Sequence, residues 1–390
     1  MRTILRPLIL VLLLLAVEQA HAQPDQWVPI PSLPWGEANI FRVEADSSGA
    51  LYVLVRDATT QAITLWQSRD RAVTWTRIRD SIAAYGYFNV DTRGGVIFNT
   101  MSVEYSGTPS TKKLRYDTHR LAPSGTVTWV GREEPRVVFN KRGDVVVLSK
   151  YNEDLGPHVN LVTTLSHDNR FRSMTFTRSA SFHAGEMRSP ALTEQGTTFV
   201  ILGGSTDNRR SGIYSGTIGD TAWTLATTST PAAIYATPAG TLLAGYGNTI
   251  RHSTDNGVTW QAVDSVQSID RFSSDAEGTI YAFSVAQGKR RSSDNGLTWE
   301  PISASGSRIW SAKNRTIWTL KDLVPHRSTD RGSTWSPVIV GLPTSRVETL
   351  AIAADGTVYA IGELSLGLYR LNQKTLDVPP SAVPNRINLR

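Results

Sequence analysis

No cysteine occurs among the 390 residues, so neither disulfides nor thiolate metal sites hold this chain together, and packing and strand pairing must do so. Long apolar runs are also missing. The longest, residues 8–17, is only about half of the roughly 20 residues that a helix needs to cross a bilayer, so no membrane span is expected. Histidine is sparse, and His119, His158, His167, His183, His252 and His326 include no pair at metal-ligand spacing, which points to no metal and no cofactor. The net charge of +6 is dispersed, with Lys112, Lys113, Arg209, Arg210, Lys289, Arg290 and Arg291 as its densest spots. Nucleic-acid binding calls for a concentrated basic stripe, so no nucleic acid is expected as a partner. G-x-S-x-G, H-E-x-x-H and G-x-x-x-x-G-K-[ST] are all absent, which removes the commonest hydrolase, zincin and nucleotide-binding patterns.

The apolar run has a use of its own. Arg2 and Arg6 precede it and Ala20, His21 and Ala22 follow, the pattern of a signal peptide over 1–22 with export to the periplasm, cell surface or extracellular space. At the other end Pro379, Pro380 and Pro384 mark 374–390 as a flexible tail, which leaves 23–373 as the folded domain.

That domain repeats itself. The signature S-x-D-x-G-x-T-W ends on Trp75, Trp260, Trp299 and Trp335, with acids at Asp70, Asp255, Asp294 and Asp330 and with Ala72 in place of glycine in the first copy. Degenerate versions end on Trp129, Phe176 and Trp223. Ahead of each runs a second element, a turn and then a β-branched or aromatic strand, as in Gly49, Leu51, Tyr52 and Val53 or Gly278, Ile280 and Tyr281. Eight such hairpins are legible, centred on Gly49, Gly94, Gly143, Gly196, Gly240, Gly278, Arg315 and Gly356. A fixed period of about 43 residues marks a ring or solenoid of supersecondary units. The eighth hairpin has no signature after it, whereas Trp27, Val28 and Ile30 match the strand that follows each signature elsewhere. The expectation is an all-β chain with a single propeller of four-stranded antiparallel blades, eight in number with seven as the alternative, closed by the N-terminal strand around Trp27.

The recurring signature resembles the Asp-box (BNR repeat) of the sialidase-like β-propeller superfamily. That superfamily includes sialidases and other glycoside hydrolases, sortilin-type receptors and photosystem assembly-factor-like propellers. The resemblance implies that Asp70, Asp255, Asp294 and Asp330 accept bonds from their own turns, and that Trp75, Trp260, Trp299 and Trp335 pack against a neighbouring sheet as structural staples. Phe41 and Arg42 keep the Phe-Arg pair of the sialidase Phe-Arg-Ile-Pro element, Arg56 falls near the next arginine, and the acid would be sought at Asp57. The proline, the tyrosine nucleophile and its glutamate partner have no match, and those sialidases are six-bladed.

In such a ring the connections between second and third strands lie on the face opposite the signature turns. They are short in blades five and six and long in blades two to four, over 101–113, 150–159 and 203–212. Insertions gathered on one side of a repeat ring map to a binding surface. Tyr105, Lys112, Tyr151, Glu153, Asp154, His158, Asp207 and Arg209 are the residues expected to present it. The reading is a monomeric, noncatalytic propeller that binds a protein or glycan partner there; the alternative is a glycoside hydrolase using acids of the same face.

Overall fold

The computed structural model describes residues 25–31, 33–36, 39–80, 82, 88–106, 111–132, 136–151, 159–167, 170–177, 187–202, 211–219, 222–266, 268–275, 277–284, 286–303, 306, 308–312, 315–363 and 367–372. The expected leader over 1–22 and the tail beyond 373 lie outside them. Every described element is a strand apart from turns, and the strands form eight four-stranded antiparallel sheets, each a blade. Seven blades are consecutive in sequence. The eighth joins Val347–Ile352, Val358–Gly362 and Leu368–Asn372 to Gln26–Pro29, with Trp27 opposite Leu371 and Val28 opposite Arg370. The chain is an eight-bladed β-propeller closed by its N-terminal strand, as the repeat pattern predicts.

The apolar residues follow from this architecture. A blade's second strand is covered on both faces by its neighbours, so it reads as a nearly continuous hydrophobic run rather than an alternating one. Leu51–Arg56 is buried over its first five residues, whereas the outer Thr76–Arg79 is mostly exposed. The core is correspondingly a circle of separate clusters, one at each junction between blades. The junction of blades eight and one is an ordinary member: Ile40, Val43, Leu51, Val53 and Val55 meet Ala351, Tyr359, Ile361 and Leu368.

First and second strands of each blade are joined by the predicted glycine turns. Gly49, Gly94, Gly143, Gly196, Gly240, Gly278 and Gly356 all have φ between 80° and 95°, and Arg315, in the copy without glycine, takes φ 60°.

The signature turns join third and fourth strands on that same face of the ring. In the copy at 253–260 the Asp255 carboxylate accepts the Val258 and Thr259 amides at 3.1 and 2.9 Å and the Thr259 hydroxyl at 2.6 Å. Ser253 Oγ donates to Asp255 at 2.8 Å and accepts the Gly257 amide at 3.0 Å. The Trp260 indole closes the turn by donating to the Gly257 carbonyl at 2.9 Å. Bonds from Thr259 hold the Asp255 carboxyl down at about 2, and those from Thr74 do the same for Asp70. The turns at 292–299 and 328–335 repeat these contacts. The indoles of Trp75, Trp260, Trp299 and Trp335 lie against the cluster shared with the preceding blade.

The first copy departs from the others. Ala72 occupies the glycine position at φ 69°, and the Trp75 indole N–H has no acceptor, its ring lying 5.1 Å from Trp35 instead. A left-handed alanine costs about 1–2 kcal/mol, partly offset by the greater freedom of an unfolded glycine. Ala72→Gly is therefore expected to stabilise the protein by roughly 0.5–1 kcal/mol in chemical denaturation. A loss of stability would mean that the methyl group packing in the first junction outweighs the backbone term.

Candidate functional site

The first strands of the blades surround the ring axis and leave a channel. Toward the face of the signature turns it widens into a cavity of about 530 Å³ lined by Glu44, Asp46, Asn89, Asp91, Arg271 and Arg308. Toward the opposite face a cavity of about 460 Å³ is lined by Arg42, Asp322, Arg346 and Glu348. Arg308 and Trp310 border both.

Arginine recurs on these first strands. Arg42, Arg136, Arg271 and Arg308 each stand four residues ahead of the first turn residue of their blade, namely Asp46, Asn140, Asp275 and Ala312. They therefore occupy equivalent places in blades one, three, six and seven. The Arg271 guanidinium sits 4.4 Å from the Phe283 ring centroid and that of Arg308 4.9 Å from Trp310, contacts that hold the long side chains in place. Aligning the hairpins on their turns and reading backwards is the signal that finds this set.

Glu44 faces two of these arginines, Arg308 and Arg42. Its Oε1 is 3.7 Å from Arg308 Nη2, and partial burial raises its pKa despite the opposing pull of Arg308 and Arg42. The other acids at this mouth are spoken for. Asp46 accepts the Ser48 and Ala50 amides at 2.9 and 3.0 Å and the Tyr52 hydroxyl at 3.2 Å. Asp91 accepts the Arg93 and Gly95 amides at 2.9 and 2.8 Å and the Arg120 guanidinium at 2.7 Å. Glycoside hydrolysis of the usual kind needs two carboxyl groups about 5–9.5 Å apart, both free to meet the sugar. Of these three acids, Asp46 and Asp91 are held by their own turns and by Tyr52 and Arg120 respectively.

Arg42 lies at the channel mouth opposite the signature turns. Arg56 ends the second strand of blade one with its guanidinium 5.3 Å from the Phe41 ring centroid. Asp57 caps its own turn: the Thr60 amide and hydroxyl and the Thr59 amide all donate to its carboxylate and hold its pKa below the usual range. Tyr105 and Lys112 are paired partners in blade two, and Tyr151 ends the second strand of blade three. Glu153, Asp154, His158, Asp207 and Arg209 lie outside the described residues.

Blade two differs from the expectation of a loop over 101–113. Its second and third strands, Val96–Ser106 and Thr111–Leu121, run for 11 residues each and stay paired out to Ser106 opposite Thr111. The matching strands of blade one have 6 residues. The surplus forms a β-ribbon arm extending about 15 Å past the ordinary blade length. Alternation of Met101, Val103 and Tyr105 with Ser102 and Glu104 is its sequence signal, overshadowed by the turn-forming residues 107–110.

No protein-family model and no curated protein matches the chain. Solved structures do. A structure of YCF48 bound to D1 peptide is similar at 12% identity and TM-score 0.41, over 91% of this chain and 96% of that one. The β-propeller domain of the Trilobed protease from Pyrococcus furiosus, with an open velcro topology, is similar at 7% identity and TM-score 0.47, over 86% and 96%. The GH74 xyloglucanase from Xanthomonas campestris is similar at 16% identity and TM-score 0.34, over 88% of this chain and 55% of the enzyme. Likenesses this distant say nothing about ligand or chemistry. Among the described residues no cluster of three or more acids and histidines is placed to hold a metal ion, and no helix is long and apolar enough to cross a membrane.

Proposed function

We propose that this chain is an exported, monomeric and noncatalytic propeller of the Asp-box superfamily, and that it binds a protein or glycan partner on the face carrying the connections between second and third strands. The blade two arm is the observation that carries the reading. A propeller blade does not need 11-residue strands to pack, so paired backbone standing clear of the ring is available for contact. The arginine-bordered channel mouth opens on the same face and offers fixed cations to an acidic group of the partner. Membership of the superfamily is supported by the four Ser-Asp-Thr turns, and export by the N-terminal pattern of residues 1–22.

Replacing residues 101–116 by an Asn-Gly turn is expected to leave the ring folded and to abolish capture of the partner from the exported fraction or on a glycan array. Undiminished capture by the shortened protein would overturn the reading. The second reading, a glycoside hydrolase, is favoured by one observation, the raised pKa of Glu44 beside arginines. It requires turnover of fluorogenic glycosides that Glu44→Gln removes, whereas the binding reading expects no turnover from either protein.

A further inference from the structure

Among the described residues the arm has an unpaired side as well as a length. Within the described residues the first strand of blade two, Phe88–Val90, pairs only as far as Phe98. The outer strand, Val127–Arg132, pairs only as far as Asp117. The segments 101–106 and 111–116 thus pair with each other and with no other described strand. A two-stranded ribbon is marginal in water by itself, and each outer edge presents a row of backbone N–H and C=O groups that a further strand can satisfy.

The register sorts the arm's residues onto two faces. Met101 is opposite Tyr116, Val103 opposite Leu114 and Tyr105 opposite Lys112, so one face is largely apolar by sequence. Met101 is exposed. The pairs Ser102 with Arg115 and Glu104 with Lys113 share the other face. Three of the arm's four charged residues, Lys112, Lys113 and Arg115, belong to the strand at 111–116, and only Glu104 is acidic.

We propose that the 111–116 edge takes up an extended peptide segment of alternating acidic and apolar residues as a third strand. Acids of the added strand stand on the face of Lys113 and Arg115, and apolar residues on the face of Leu114 and Tyr116. Main-chain bonds supply affinity and the alternation supplies specificity. The concentration of cations on that edge disfavours pairing with the same edge of a second copy, since like charges directly opposite each other destabilise a sheet. This inference rests on the proposed binding role and names the chemistry of the partner segment.

The test uses the intact protein and a labelled, end-blocked hexapeptide of alternating Glu and Val, read by fluorescence anisotropy together with amide hydrogen exchange. The peptide is expected to bind and to slow exchange within 111–116. Affinity should fall at least about ten-fold for the same peptide N-methylated at alternate amides, and similarly for a block isomer with its valines and glutamates separated. Lys113→Glu with Arg115→Glu should weaken binding by a comparable factor. The proposal is overturned if the alternating peptide does not bind, if N-methylation leaves affinity unchanged, or if protection appears on 101–106 instead. Protection of the arm by self-association without peptide also overturns it. If arm removal abolishes partner capture while a bound partner leaves 111–116 unprotected, edge addition fails and the broader binding role stands.

Discussion

Trp27→Ala is expected to lower the unfolding free energy by about 3–5 kcal/mol in guanidinium denaturation. The side chain is 1% exposed, its ring meets Trp318 edge-on with centroids 6.3 Å apart, and its indole donates to the Val338 carbonyl at 2.8 Å. Its backbone amide also donates to the Val340 carbonyl at 2.8 Å, stitching the closing strand to blade seven. Truncation therefore leaves a cavity and a buried carbonyl without its donor where the closing strand packs on blade seven, and so weakens the one seam that no covalent connection crosses, the pairing of that strand with Leu368–Asn372. Loosening that seam bares the edge of Leu368–Asn372, so the variant should also aggregate earlier on warming. A cost below about 1 kcal/mol would mean that the seam is not where the ring is held.

Arg120→Ala should be of similar size for a different reason. Arg120 and Asp91 are 6% and 0% exposed, and two guanidinium nitrogens, Nη2 and Nε, donate to Asp91 Oδ2 at 2.7 and 3.1 Å. Removing one member of such a pair strands the other charge and costs about 3–5 kcal/mol, whereas replacing both by neutral groups costs much less. Asp91 also holds the Arg93 and Gly95 amides of its turn, a task that asparagine can share through its side-chain oxygen. The double replacement Arg120→Met with Asp91→Asn is accordingly expected to unfold at higher denaturant than Arg120→Ala alone. Equal losses would show that packing of the arginine stem, rather than the stranded carboxylate, sets the cost.

The ring was legible because its repeated parts are chemically demanding. A turn that folds back through Asp255, Ser253 and Thr259 tolerates few other side chains, and a left-handed position such as Gly278 favours one residue, so both survive in the sequence as spaced marks. Trp27 was legible as the closing strand because every other outer strand has a precedent for it. The site left fainter marks. An arginine facing a channel needs no fixed neighbours along the chain, and Arg42, Arg271 and Arg308 become a set only when their blades are superposed on the turns. The arm was hidden because Ser, Thr, Lys and Gly around residues 102–112 resemble an open loop, while the pairing that makes it a ribbon is written only as alternation. Trp35 follows no repeat; it fills the first junction beside Trp66 and Trp75, with ring centroids 5.4 and 5.1 Å away.

The absence of native cysteine permits a direct test of closure. Val28 and Arg370 are register partners across the seam, and paired residues of antiparallel strands lie about 4.5–5.5 Å apart at Cα, within reach of a disulfide. In the variant carrying Val28→Cys and Arg370→Cys, mild oxidation followed by nonreducing peptide mass mapping should yield the 28–370 cross-link nearly stoichiometrically, with no intermolecular dimer. Folded protein whose two thiols stay free, or cross-link only between molecules, would contradict the closed ring.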